Sequence, residues 1–411
     1  MTPFLGRYLA LTSLLTLTIG CGASATPQAN GGNGGGSGGA VGTGGSGSGG
    51  TSSGSGGASG GSGGASTGTG GASGSGGASD TDGGSGGNVV ADGGPKDMPA
   101  GGETAPAGTK GIQGDPGTMG DGTIPQPPPY PAPPETMGRV GGAPAGMMSP
   151  WTIYASKAIY PGMKFQYAIH VPAQYQKGKP AALMVFFDGQ HYGGPNTPNA
   201  AEDYHWNAPF LIENLIHTGD MPVTISVYID PGTPSGIFHR RTQPDDGLRG
   251  QQYDTPSDAH SRFLLNEFLP DVILNKYDIV DDPEGWALAG HSSGGICAFM
   301  ITWYRPDKFR KSVTSSASFS NTGGRFPAAI TQLAGAPKPI RTTLLSGTND
   351  LTGNPSWLTA NTQAADALKA KGYHYRFRTG VDNHTPPLAS INESIEAYKW
   401  VWRNYKLPWY P

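Results

Sequence analysis

Cysteine is nearly absent: the 411 residues hold only Cys21 and Cys297, so no internal disulfide can staple the chain and a packed core must hold it together. Excess positive charge is also missing. A net charge of -3 and the lack of any Lys/Arg stripe interleaved with aromatics exclude nucleic acid as an expected partner. No His, Cys and carboxylate cluster has zinc-like spacing and no G-x-x-x-x-G-K-[ST] occurs, so no cofactor and no metal are expected. The apolar run at residues 8–20 is too short for a permanent membrane span. Large apolar side chains are almost missing from residues 30–102, which cannot bury enough surface to offset their ordering entropy.

What is present starts with 68 glycines, most of them in the first third of the chain, and 37 prolines. Residues 1–20 read as a signal peptide, and Leu17-Thr18-Ile19-Gly20-Cys21 resembles a bacterial lipoprotein signal. That resemblance implies an exported chain carrying lipid on Cys21, and an ordinary secretory signal that leaves the chain secreted stays open as the alternative. Gly22 lacks the aspartate associated with inner-membrane retention, so the outer membrane is the expected place. Residues 21–103 form a Gly/Ser tether, whose 70-odd central residues have a reach of about 45–50 Å as a flexible coil. Residues 104–146 read as a Pro/Gly-rich linker, with a polyproline stretch at 126–134.

From residue 147 to 411 the composition is that of one domain with a sizeable core. Strand-like segments at 165–171, 182–187, 223–229, 286–289, 342–345 and 373–378 are interspersed with helix-like ones at 258–277, 361–371 and 394–405. Such alternation predicts an α/β fold, a mainly parallel sheet with helices on both faces and the site at the carboxyl ends of its strands.

Gly290-His291-Ser292-Ser293-Gly294 lies between the apolar run 286–289 and the apolar segment 296–300. A G-x-S-x-G between strand and helix is a nucleophile elbow: the tight turn demands small flanking residues and lifts the serine hydroxyl above the sheet edge at a helix N-terminus. Gly/Ser decoys in the tether, such as 35–39 and 57–61, have neither strand nor helix beside them. Serine needs a base and the base needs a carboxylate. After Ser292 only His374 and His384 remain; His374 lies within a strand, whereas His384 follows it in a loop. The carboxylates between Ser292 and His384 are Asp307, Asp350, Asp366 and Asp382. Asp350 ends a strand, Asp307 follows the elbow helix, Asp366 is on a helix face, and Asp382 is too near His384 to orient it easily. The expected triad is therefore Ser292, Asp350 and His384, in the order of α/β-hydrolases. The oxyanion donors are expected to be the amides of Ser293 and Gln190, the latter in the glycine-rich turn after strand 182–187. Cys297 reads as a small buried hydrophobe. His191, Tyr192, His205, Trp206, His239, Arg240 and Arg241 read as surface or supporting residues.

Four blocks, Val171-Pro172-Ala173-Gln174-Tyr175, Met184 through Gln190, Gly290 through Gly295 and Ser346 through Asp350, resemble the enterochelin esterase-like, or esterase D, group of α/β-hydrolases. The Asp188-Gly189-Gln190 block is similar to the oxyanion loops of enterochelin esterases and mycolyltransferases, and Gly347-Thr348-Asn349-Asp350 to feruloyl-type carbohydrate esterases. The resemblance implies a serine esterase using the same three residues. Two departures stand out: Gln252 replaces the acid expected in Arg249-Gly250-Gln251-Gln252-Tyr253-Asp254, and Asp382-Asn383-His384 replaces a Gly-Gly-His. The expected activity is hydrolysis of a feruloyl or acetyl polysaccharide ester or of a siderophore-type ester. Acyl transfer of the mycolyltransferase type and a non-catalytic surface binding module stay open as alternatives.

Overall fold

The apolar runs at 182–187 and 223–229 become strands with no exposed side chain, as the centre of a parallel sheet requires. The computed structural model describes residues 110–114, 117–126, 132–194, 205–238, 245–385 and 387–410. The expected signal peptide, Cys21, the tether and the polyproline residues 127–131 lie outside them.

In chain order the strands are β1 (Ile112–Gln113), β2 (Gly122–Gln126), β3 (Met147–Met148), β4 (Thr152–Ala155), β5 (Lys164–Val171), β6 (Ala182–Phe187), β7 (Thr224–Ile229), β8 (Trp286–His291), β9 (Lys311–Ser315), β10 (Arg341–Asn349), β11 (His374–Asn383) and β12 (Tyr405–Lys406). The main sheet runs β2-β11-β10-β9-β8-β6-β7-β5-β3, with β4 also on β5. It is parallel from β2 to β7 and turns antiparallel at β5. β1 and β12 pair separately.

The helices are α1 (Pro134–Met137), α2 (Gly189–Tyr192), α3 (Ala208–Thr218), α4 (Asp245–Tyr253), α5 (Ala259–Phe263), α6 (Ser293–Tyr304), α7 (Arg325–Gln332), α8 (Trp357–Ala370) and α9 (Leu388–Trp402). α5 continues through wider π-type turns to Leu274. From Ser293 to Trp303 every residue of α6 is buried, as a helix apolar all round must be. Cys297, wholly buried there, is the expected small hydrophobe, and burial pushes its thiol pKa well up. Each fully buried Val, Ile or Phe stabilises the fold by about 1.5–3 kcal/mol.

The folded unit begins ahead of Met147, where the sequence suggests only a linker. β2 lies on the open side of β11, an edge position that tolerates Pro125, which lacks an N–H. Asp121 anchors that edge, accepting from His374 Nδ1 (2.7 Å), Trp400 Nε1 (3.1 Å) and Arg403 Nη2 (2.9 Å). Residues 139–146 are held by Glu213 of α3, which is fully buried and bonded to Arg139, to the Gly146 amide (2.6 Å) and to His170 (2.9 Å). Burial alone would raise this carboxyl's pKa, but its partners together hold it below the ordinary value.

β9 also escapes sequence reading, because Lys-Ser-Val-Thr-Ser has one apolar residue. Its hydroxyls are paired inside the sheet, Ser312 to Thr342 Oγ1 (2.8 Å) and Thr314 to the Thr343 carbonyl (2.8 Å), so their burial costs little.

His260 sits among Phe165, Phe187, Tyr253 and Phe263, and burial pushes its pKa from 6.5 down to about 3. The folded protein thus resists a proton that the unfolded chain accepts below pH 6.5. Its contribution to stability is complete above pH 6.5 and falls with pH toward 3, by about 2 kcal/mol at pH 5. Urea unfolding at pH 7.5 and pH 5 should show a smaller acid loss in His260→Phe than in the wild type. Equal losses in both would remove His260 from the account.

Candidate active site

β8, β10 and β11 end on the same edge of the sheet, and each delivers one residue there: Ser292, Asp350 and His384. Ser292 holds φ 58° and ψ -122°, a strained conformation that costs about 1–3 kcal/mol and persists because its surroundings dictate it. Its amide donates to the Ser315 carbonyl (2.9 Å), and its own carbonyl accepts from Ser318 (3.1 Å) and Ile296 (3.1 Å). The flanking glycines are obligatory. A Cβ on Gly290 would lie 2.2 Å from the backbone of Gly294, and one on Gly294 would lie 2.7 Å from Asp188 Oδ2.

His384 Nε2 lies 3.0 Å from Ser292 Oγ, and its Nδ1 lies 2.7 Å from Asp350 Oδ1. These partners assign the tautomer: Nδ1–H donates to the carboxylate, leaving Nε2 to accept from the serine hydroxyl. Asp350 also accepts from Ser346 Oγ (2.9 Å) and from the Leu351 amide (2.8 Å). Burial would raise its pKa, but the hydrogen bond and charge of His384 outweigh it and hold the carboxyl below its ordinary value. It is therefore ionised wherever His384 must be oriented.

The rejected candidates lie elsewhere. Asp307 pairs with Arg305 on the surface, and Asp366 is exposed on α8. His374 bonds Asp121 far along β11. Asp382 accepts from the amides of Ala389 (3.1 Å) and Ser390 (2.8 Å), capping the start of α9 and so fixing the loop that carries His384. Burial raises its pKa.

Ser293 opens α6, so helix geometry gives its amide no intrahelical acceptor, and it sits at the positive end of the helix dipole beside Ser292. Gln190 needs correction. It stands at the expected strand end, but its amide donates to Asp230 Oδ1 (3.1 Å) and its side chain to Asp230 Oδ2 (2.5 Å). A buried carboxylate thus occupies the N–H that was expected to face the oxyanion.

Several contributors went unread in the sequence. His291, the variable position of the G-x-S-x-G, bonds Ser315 Oγ (3.1 Å) through Nδ1 and the His384 carbonyl (3.0 Å) through Nε2, which ties the elbow to the loop of His384. Trp357 meets the His384 ring edge-on at 6.0 Å. Arg249 grips Asp188 in a bidentate pair, with Nε at 2.7 Å and Nη2 at 2.6 Å. Its Nη1 donates to Ser293 Oγ (2.8 Å), which in turn donates to Asp254 Oδ2 (3.1 Å). Burial raises the pKa of Asp254 against the pull of Asn321, Arg249 and Ser293. Gln252 accepts from the Gly232 amide (2.8 Å) and donates to the Gly232 carbonyl (2.7 Å), a two-way pairing that a carboxylate could not make. Tyr192 and Trp206 are buried and stacked at 4.8 Å, Trp206 lies 5.2 Å from His291, and His191 is buried too, so these three support the site from within. His205 is half-buried, and His239, Arg240 and Arg241 lie outside the described residues.

Several solved structures of esterases align with this chain. A ferulic acid esterase aligns with 63% of this chain and 99% of its own at 18% identity and a TM-score of 0.48. The enterobactin esterase of Shigella flexneri, solved in the presence of enterobactin, aligns with 67% of this chain and 62% of its own at 16% identity and a TM-score of 0.50. A ferulic acid esterase from Anaeromyces mucronatus aligns with 66% of this chain and 95% of its own at 15% identity and a TM-score of 0.46. No curated protein matches the chain in sequence. The family described as "Putative esterase" matches residues 156–385, more than half of the chain and a span that takes in the elbow, Asp350 and His384. The chain therefore belongs to that esterase family and is a carboxylic ester hydrolase of the α/β-hydrolase fold.

Proposed function

We propose that the chain hydrolyses its ester through Ser292, His384 and Asp350 by way of an acyl-enzyme. The observation that carries this reading is the unbroken hydrogen-bonded series from Asp350 through His384 to Ser292 Oγ on a strained elbow. His384 Nε2 takes the Ser292 proton as Oγ bonds the ester carbonyl carbon, and Asp350 stabilises the imidazolium that results. The carbonyl π electrons move onto oxygen, where the Ser293 amide and the α6 dipole stabilise the charge. Collapse breaks the bond to the alcohol, which leaves with the proton from His384. Water activated by the same histidine then cleaves the acyl-serine and restores the enzyme.

The acyl group in this reading is aromatic, a feruloyl group on polysaccharide or a catecholate of the siderophore type. Trp357, whose ring stands against that of His384, places a large aromatic side chain beside Ser292 and His384, which supports this choice over acetyl. Hydrolysis of methyl ferulate, p-nitrophenyl acetate and p-nitrophenyl butyrate by residues 110–411 and by Ser292→Ala tests both points. Turnover highest on ferulate and lost in the variant is expected. Turnover that survives Ser292→Ala would sink the mechanism, and a preference for acetate would sink the aromatic acyl group.

The enzyme acts outside the cytoplasm on a lipid anchor at Cys21, joined to the catalytic unit by the Gly/Ser tether. The lipobox-like Leu17-Thr18-Ile19-Gly20-Cys21 supports this. Expressed as the full chain in a bacterium, the protein should partition into detergent and Cys21→Ser should not. Equal partitioning of both would exclude the anchor.

A further inference from the structure

One guanidinium, carried by α4, bridges two segments that are far apart in sequence, the turn after β6 and the elbow itself. Arg249 of α4 is buried and makes four hydrogen bonds: two to Asp188 after β6, one to Ser293 Oγ, and one to the His291 carbonyl (3.3 Å) at the end of β8. Ser293 is held from both sides, because its hydroxyl accepts from Arg249 and donates to Asp254, which Asn321 Nδ2 (2.9 Å) steadies in turn. Asp188 also abuts the elbow, as the 2.7 Å approach to a Cβ at Gly294 shows. The side chain of Ser293 therefore points into this ionic cluster, while its amide belongs to the start of α6 beside Ser292.

We propose that Arg249 is a positioning residue for the oxyanion site: by gripping Asp188, Ser293 and the His291 carbonyl together, it fixes the orientation of the Ser293 amide. The proposal rests on Ser292 being the nucleophile. The chemistry calls for arginine. A planar fork with five donors can satisfy a carboxylate, a hydroxyl and a carbonyl in one plane, whereas a lysine is a single point charge with three donors and cannot keep this set. Because the amide matters only once the carbonyl oxygen becomes negative, loosening it should weaken the transition state and spare substrate binding.

The test is steady-state kinetics on Arg249→Lys and Ser293→Ala, with thermal midpoints, and inhibition by a boronic acid whose tetrahedral serine adduct places an anionic oxygen in the site. Arg249→Lys should lower kcat by about 10–100-fold with KM changed less than about twofold, and should weaken the boronic acid by a similar factor. Ser293→Ala, which keeps the amide and cuts only the tether, should lower kcat by about tenfold and add little in the Arg249→Lys background, since both remove one restraint. Guanidinium at sub-denaturing concentration should restore part of the kcat of Arg249→Ala. The proposal is overturned if folded Arg249→Lys or Ser293→Ala keeps wild-type kcat, or if their losses fall on KM and leave boronate inhibition unchanged. Should Arg249→Lys fail to fold, Ser293→Ala decides alone. Loss of the mechanism itself would look different: Ser292→Ala would stay active and the boronic acid would not inhibit the wild type.

Discussion

His384→Ala should lower kcat by about four to six orders of magnitude on every ester the enzyme accepts, with the fold intact. Without the imidazole nothing within reach takes the Ser292 proton, and a neutral hydroxyl attacks slowly. The residue is half-buried in the loop after β11 and outside the core, its ring beside those of His291 and Trp357. The thermal midpoint should therefore move little. Asp350→Asn should cost about 10⁴-fold, because an amide facing Nδ1 favours the wrong tautomer. The measurement is kcat on p-nitrophenyl butyrate beside the midpoint. Activity of His384→Ala within tenfold of wild type would place the base elsewhere.

Gly290→Ala should have the second largest effect, this time on folding. The added Cβ would lie 2.2 Å from the carbonyl carbon and oxygen of Gly294 and 2.8 Å from the Gly295 amide. All three are backbone atoms of the elbow, so no flexible side chain can yield, and strand β8 must separate from α6. A loss of about 3 kcal/mol or more is expected, enough to leave much of a marginally stable domain unfolded. Gly247→Ala is the contrast: its Cβ would meet nothing within 4 Å at an exposed position of α4, and alanine is the better helix former. Urea midpoints should fall sharply for the first and stay level or rise for the second. Two similar midpoints would mean that the elbow relaxes more freely than this geometry allows.

Much of the fold was legible in the sequence because apolar runs and strand-end loops carry it. Residues 182–187 and 286–289 read as buried strands from composition alone. Ser292, Asp350 and His384 could be selected since parallel strands send all three to one edge, whereas His374 falls within a strand and Asp382 stands too near His384 in sequence to orient it. β2 and β9 were hidden for a physical reason: hydroxyl pairs and an edge proline let polar sequences form strands. The Arg249 cluster was hidden for another. Its partners lie 61 and 44 residues away, and no local pattern announces a contact of that range. Gln190 shows the opposite failure, a motif correctly located whose amide is taken by Asp230, a residue 40 positions on.

In this mechanism Ser292, activated by His384, becomes covalently acylated. Intact-mass analysis after incubation with diethyl p-nitrophenyl phosphate, followed by peptide mapping, tests it most directly. A single phosphoryl adduct is expected on the peptide carrying Ser292, formed with full loss of esterase activity, absent in Ser292→Ala and far slower in His384→Ala. An adduct on another residue, or inactivation that proceeds unchanged in Ser292→Ala, would contradict it.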